Sequence, residues 1–172
     1  MSDAEKSVHE LNADLFDPEE AGPSRDPKEA RKKAMDCLAR REYGRRELAD
    51  KLCMAGFADD IAAEAVDRLS TEGLQDDRRF VEGFARSRIN QGKGPLRVQS
   101  ELRQKGIDPA VLDEVLEDFE DHWAELARDV RRKKFGESKP GSFPEKARQM
   151  RFLQYRGFSQ AQIDAAVGDN GD

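Results

Sequence analysis

The chain has 172 residues, 38% of them charged and 37% hydrophobic, with a formal net charge of −6. That is polar for one compact globule and suits a series of small cores. No apolar run reaches membrane-spanning length, which excludes a transmembrane helix. The charge is also arranged in blocks, which says more about partners than the total does. Residues 1–29 carry 9 acids against 3 bases, residues 75–106 carry 8 bases against 4 acids, residues 107–127 carry 8 acids and no base, and residues 128–158 carry 10 bases against 3 acids.

Residues 1–25 are acidic, contain Pro18 and Pro23 and show no sustained periodicity, so a disordered tail is expected there. The first residues contain no apolar core of a secretory signal. Cys37 and Cys53 stand alone on apolar helix faces and read as small packed side chains, not as a disulfide. A cytoplasmic protein is expected.

Asp26, Pro27 and Glu29 supply a cap, an N1 proline and an acidic N3 residue for a first helix, whose face is Ala30, Ala34, Cys37 and Leu38. Gly44 ends the break that follows. Leu48 and Leu52 mark a short second helix, and Ile61, Ala65, Val66 and Leu69 a third that ends at Gly73. Asp76 and Asp77 open the next helix with acids at its positive end. Its stripe is Phe80, Val81, Phe84, Ala85 and Ile89. Pro95 starts a helix carrying Val98 and Leu102. Leu112, Val115, Leu116, Phe119, Trp123, Leu126 and Val130 then recur by threes and fours, which predicts one helix of about 26 residues, unless it kinks near His122. The cations Arg131 to Lys134 suit its C-terminus. After a loop over 136–144, a helix runs through Ala147, Met150 and Leu153, and a last one through Ile163 and Val167.

Three of the helix ends match. Leu52–Gly56–Phe57, Leu102–Gly106–Ile107 and Leu153–Gly157–Phe158 share one internal spacing, and their glycines lie 50 and 51 residues apart. Each is the signature of a Schellman ending, with glycine at C′ and an apolar contact between C3 and C″. A new helix starts after each: Asp108 and Pro109 in the second copy, a Ser159/Gln162 capping box in the third, and a poor Ala58 cap in the first. The repetition predicts an all-α protein built as a tandem array of three three-helix units, an elongated curved rod. The units expected are 26–74, 75–122 and 123–168, between the tail at 1–25 and a frayed end at 169–172.

The matching stretches over residues 28–167 are Arg40 to Tyr43, Glu47-Leu48, Lys51-Leu52, Gly73-Leu74, Asp76-Asp77, Arg79-Phe80, Arg86-Ser87-Arg88, Gly92 to Pro95, Lys105-Gly106-Ile107, Lys133 to Gly136, Arg151 to Leu153 and Arg156 to Ser159. In order and spacing they resemble the RecX family, bacterial regulators of the RecA recombinase. Gly44 departs from that pattern, where the family often has Ser, and this removes a side-chain helix cap. The resemblance implies helix-turn-helix-like units in a curved rod that lies in the groove of the RecA–DNA filament. It also implies modulation, usually inhibition, of strand exchange, ATP hydrolysis and coprotease activity, within DNA repair, recombination and the SOS response. The protein would act as a monomer, with no membrane and no cofactor.

Candidate contact residues for the filament are Arg86, Arg88, Lys93 and Arg97 in the middle unit. In the last unit they are Lys133, Lys134, Arg148, Arg151 and Arg156. A second reading is direct binding of single- or double-stranded DNA by helix-turn-helix-like units whose basic blocks track phosphates. Enzymatic chemistry has little support. His122 lies on a helix with no Cys or His nearby, and residues 92–95 lack the spacing of a phosphate loop. Asp76 and Asp77 point apart on a helix, while Trp123 and Tyr43 read as core aromatics. No metal site is expected.

Overall fold

A computed structural model describes residues 21–168. In chain order the helices are α1 (Pro27–Leu38), α2 (Arg45–Met54), α3 (Asp59–Thr71), α4 (Asp77–Asn90), α5 (Pro95–Gln104), α6 (Pro109–Glu117), α7 (Glu120–Phe135), α8 (Phe143–Arg156) and α9 (Gln160–Val167). Among the described residues there is no strand, only an isolated parallel bridge between Ser24 and Phe57. No helix there is long and apolar enough to cross a membrane.

The caps act locally as their residue types dictate. The Asp26, Asp76 and Asp108 carboxylates each accept backbone N–H groups of the first helical turn. Ser159 and Gln162 form the reciprocal capping box, while Ala58 offers no side-chain cap. All three Schellman endings close. Phe57, Ile107 and Phe158 each donate their N–H to the carbonyl of the leucine five residues earlier, at 3.2 Å. Gly56, Gly106 and Gly157 hold φ of +99°, +77° and +97°, a region that side chains with a Cβ avoid.

Each unit has its own core. Leu48, Leu52, Val66 and Leu69 belong to the first, Phe80, Val98, Leu102 and Leu112 to the second, and Leu153, Phe158 and Ile163 to the third. In every unit the first helix packs on the third (α1 on α3, α4 on α6, α7 on α9), and the second contacts both. The third core is the smallest, and polar groups supplement it. Arg131 is 7% exposed and donates to the Gln149 side chain at 2.9 Å and to the Ser138 carbonyl, which ties the loop after α7 to α8.

The units are joined at the N-termini of α2 and α5, which carry glycine caps. At the second joint, Gly94 and Leu96 donate their N–H groups to the Arg156 and Gly157 carbonyls, both at 2.9 Å. Carbonyls at the C-terminal end of α8 thus satisfy donors at the start of α5, so the negative end of one helix meets the positive end of the other. At the first joint, Arg45 N–H donates to the Asp77 carboxylate at 2.8 Å, and the Gln75 side chain donates to the Tyr43 carbonyl at 3.1 Å. The cap that Gly44 lacks is therefore supplied by the next unit. The ending of the first unit meets no preceding unit. Ser24 occupies it instead, donating to the Gly56 carbonyl at 2.7 Å and accepting from Ala58 N–H at 2.9 Å.

Two expectations need correction. The predicted helix of about 26 residues is two helices, broken at Asp118 and Phe119. Phe119 sits at φ −101°, ψ 0°, with i→i−3 bonds on either side of it. The apolar spacing runs on through the break because Phe119 and Trp123 still face the second core, their rings 6.4 Å apart. The stretch read as a tail also ends sooner, since Ser24 is bridged and Arg25 pairs with Asp60 at 2.6 Å. The remainder of that expected tail, residues 1–20, and the expected fraying at 169–172 lie outside the described residues.

Gly83 lies within α4 at ordinary helical φ, and a Cβ there would meet nothing within 4 Å. Gly83→Ala is therefore expected to stabilise the protein by about 0.5–1 kcal/mol, through lost backbone freedom in the unfolded chain. A thermal melt checks it, and a lowered midpoint would contradict it.

Candidate partner-binding surface

The nine cations singled out in the sequence separate into two environments. In the middle unit, Arg88, Lys93 and Arg97 converge on one carboxylate. Glu101 lies 2.6 Å from Arg88, 3.9 Å from Lys93 and 3.6 Å from Arg97. Burial alone would push its pKa up, but the three cations outweigh it and hold the Glu101 carboxyl below the usual glutamate range. Arg88 also lies over the Phe84 ring, 4.2 Å from its centre. These three side chains hold the end of α4 and the start of α5 to the face of α5, so much of their charge is used internally. Arg86 stands apart and exposed, on a depression it shares with Glu82, Asp118 and His122.

The last unit differs. Lys133, Lys134, Arg148, Arg151 and Arg156 have no carboxylate partner among the described residues, whereas Arg132 beside them pairs with Asp129 at 2.9 Å and Glu137 at 3.8 Å. Arg148, Phe152 and Arg156 recur every four residues and share one face of α8. Against them α7 sets Lys134 and Phe135. The two phenyl rings meet edge to face at 5.3 Å. Arg148 sits 5.3 Å from the Phe135 centre, while Lys134 and Arg156 sit 5.9 Å and 5.2 Å from the Phe152 centre. The ring quadrupoles hold these cations in place without neutralising them. Arg151 is exposed on the same helix but takes no part in these stacks.

Lys133, Lys134 and Arg156 face a cleft of about 780 Å³ at the second joint, between the end of α4, α7 and α8. Ile89, Leu126 and Val130 give it an apolar floor. Gly92, at φ +72°, lets the α4 terminus close on Val130, and Arg156 donates to the Gln91 carbonyl at 3.0 Å. The cleft therefore exists only where two units meet. Sequence reading missed Glu101, Phe135 and Phe152. The spacing of Arg148, Phe152 and Arg156 was visible, but its partner ring on α7 was not.

Of the other residues weighed for chemistry, Asp76 caps α4 while Asp77 reaches across the first joint. His122 is exposed, and Trp123 and Tyr43 are 1% and 7% exposed. Cys37 and Cys53 are free thiols; burial and the neighbouring Asp59 carboxylate push the Cys53 thiol up.

Comparison with known proteins agrees with the threefold architecture. Residues 30–69, 76–116 and 120–167 match the family profiles described as the first, second and third three-helix domains of RecX. A regulatory protein RecX of Halorhodospira halophila is 47% identical over 134 residues, covering 78% of this chain and 83% of that one. One from Pseudomonas entomophila is 44% identical over 137 residues, covering 80% and 88%. The crystal structure of RecX from Lactobacillus salivarius superposes with a TM-score of 0.70 at 22% identity, covering 82% of this chain and 94% of that one, a likeness of fold.

Proposed function

The chain belongs to the RecX family of regulatory proteins, and on that premise we propose that it binds the RecA–DNA filament and modulates RecA. Inhibition of recombinase, ATPase and coprotease activity is the expected sign. It acts in the cytoplasm as a monomer and performs no chemistry of its own. The observation that carries this reading is the pair of joints that hold three similar units together, with five cations of the last unit (Lys133, Lys134, Arg148, Arg151 and Arg156) free of carboxylate partners among the described residues. A partner that repeats along an axis can engage such units together, and linked contacts add avidity. A regulator that binds two filament states unequally shifts their balance without catalysis.

The test is RecA ATP hydrolysis and strand exchange with substoichiometric additions of the protein. A fall in both is expected, and no change in either would refute the proposal. The cations of α7 and α8 that meet no carboxylate among the described residues also favour a second reading, direct DNA binding by helix-turn-helix-like units. A mobility shift on bare single- and double-stranded DNA separates the two. Tight binding that weakens steeply with salt, without RecA, supports the second.

A further inference from the structure

We propose that the cleft at the second joint binds a short acidic segment of a polypeptide, placing carboxylates on Lys133, Lys134 and Arg156. The inference leans on the filament reading only for the source of that segment; the chemistry of the cleft stands without it.

Four cations line the cleft against two carboxylates, and Asp129 and Glu137 are both spent on Arg132. That leaves three cations facing a concavity with an aliphatic floor, a volume typical of sites that enclose small ligands. A planar guanidinium beside two ammonium groups suits discrete carboxylates.

Two features favour a peptide over a nucleic-acid strand. Strand binding draws on aromatic faces for base stacking. Here Phe152 is flanked by Lys134 and Arg156 and abutted by Phe135, so the ring orders cations and is not a free platform. Asp129 and Glu137 also line the cleft, so a continuous run of phosphates would have to compete with them for Arg132. A peptide brings its own N–H donors to such carboxylates and need carry acid only where the cations are.

The experiment is fluorescence anisotropy with the full chain, at about 0.15 M salt. The probes are a labelled peptide of Glu residues spaced by Gly and Ser, a matching peptide with Gln for each Glu, and a thymidine oligonucleotide of equal length. The acidic peptide is expected to bind and the neutral one not. Replacing both Lys133→Ala and Lys134→Ala should weaken the acidic peptide about tenfold, two exposed charge contacts together. Both lysines are exposed, so circular dichroism should be unchanged. The control pair Lys32→Ala and Lys33→Ala, exposed on α1, should bind as the parent does. Tighter binding of the oligonucleotide than of the acidic peptide overturns the proposal, as does equal loss in both double variants. Peptide binding without filament binding sinks the filament reading alone. Filament binding by a chain that ignores the peptide sinks the cleft assignment alone.

Discussion

Gly94→Ala is expected to lose about 3 kcal/mol of stability, by overpacking against backbone and by loss of two backbone hydrogen bonds across the joint. A Cβ on Gly94 would stand 2.5 Å from the Gly157 carbonyl oxygen and the Phe158 nitrogen, and closer still to the Gly157 carbonyl carbon. None of those atoms can rotate away. The Gly94 and Leu96 N–H groups would then lose the Arg156 and Gly157 carbonyls, and the third unit would shift against the second. Gly106→Ala, at the first joint, makes an internal comparison. Its Cβ would meet the Arg46 side chain at 2.5 Å, a flexible group that can move, so chiefly the +77° φ remains as a cost. About 1–2 kcal/mol is expected there. Denaturant melts read by the single tryptophan, Trp123 in the second core, rank the two. Equal losses would show that the backbone contact at Gly94 does not set the joint.

Reversing charge with Lys133→Glu and Lys134→Glu together should weaken filament binding by roughly 30–100-fold near physiological salt, since two attractions become two repulsions. Stability should fall by no more than about 1 kcal/mol, because both residues are exposed at the C-terminus of α7, where anions oppose the helix dipole. The neutral pair Lys133→Gln and Lys134→Gln separates the two effects: it removes attraction with little cost to the helix and should give an intermediate loss. Co-sedimentation with RecA filaments reads the affinity and a thermal melt reads the fold. Unchanged sedimentation by the reversed variant would remove this surface from the filament contact.

The contrast between these two predictions follows from what a sequence displays. Schellman endings, caps and apolar stripes are local, so the triplets at Gly56, Gly106 and Gly157 could be read at once and with them the three units. The break at Phe119 could not, because residues on both sides of it face one core and keep the helical spacing unbroken. Gly94 was legible as a cap. Its closeness to Gly157 was not, since that contact joins residues far apart in the chain. The same holds at the candidate surface. Its cations were evident as a block, but what each one meets was not. Glu101 gathers Arg88 from thirteen residues away, while Phe135 and Phe152 order Lys134, Arg148 and Arg156 from two different helices. Local sequence showed where the charge lay; only the packing of units showed that the middle set is largely used internally and the last set is open.

On the proposed reading, the joined units bind a protein–DNA polymer and not DNA by itself. Co-sedimentation of the chain with RecA filaments on single-stranded DNA, beside the same DNA alone, tests it most directly. Saturable binding to the filament and weak binding to naked DNA is the predicted result. Equal binding to both, or none to the filament, would contradict it.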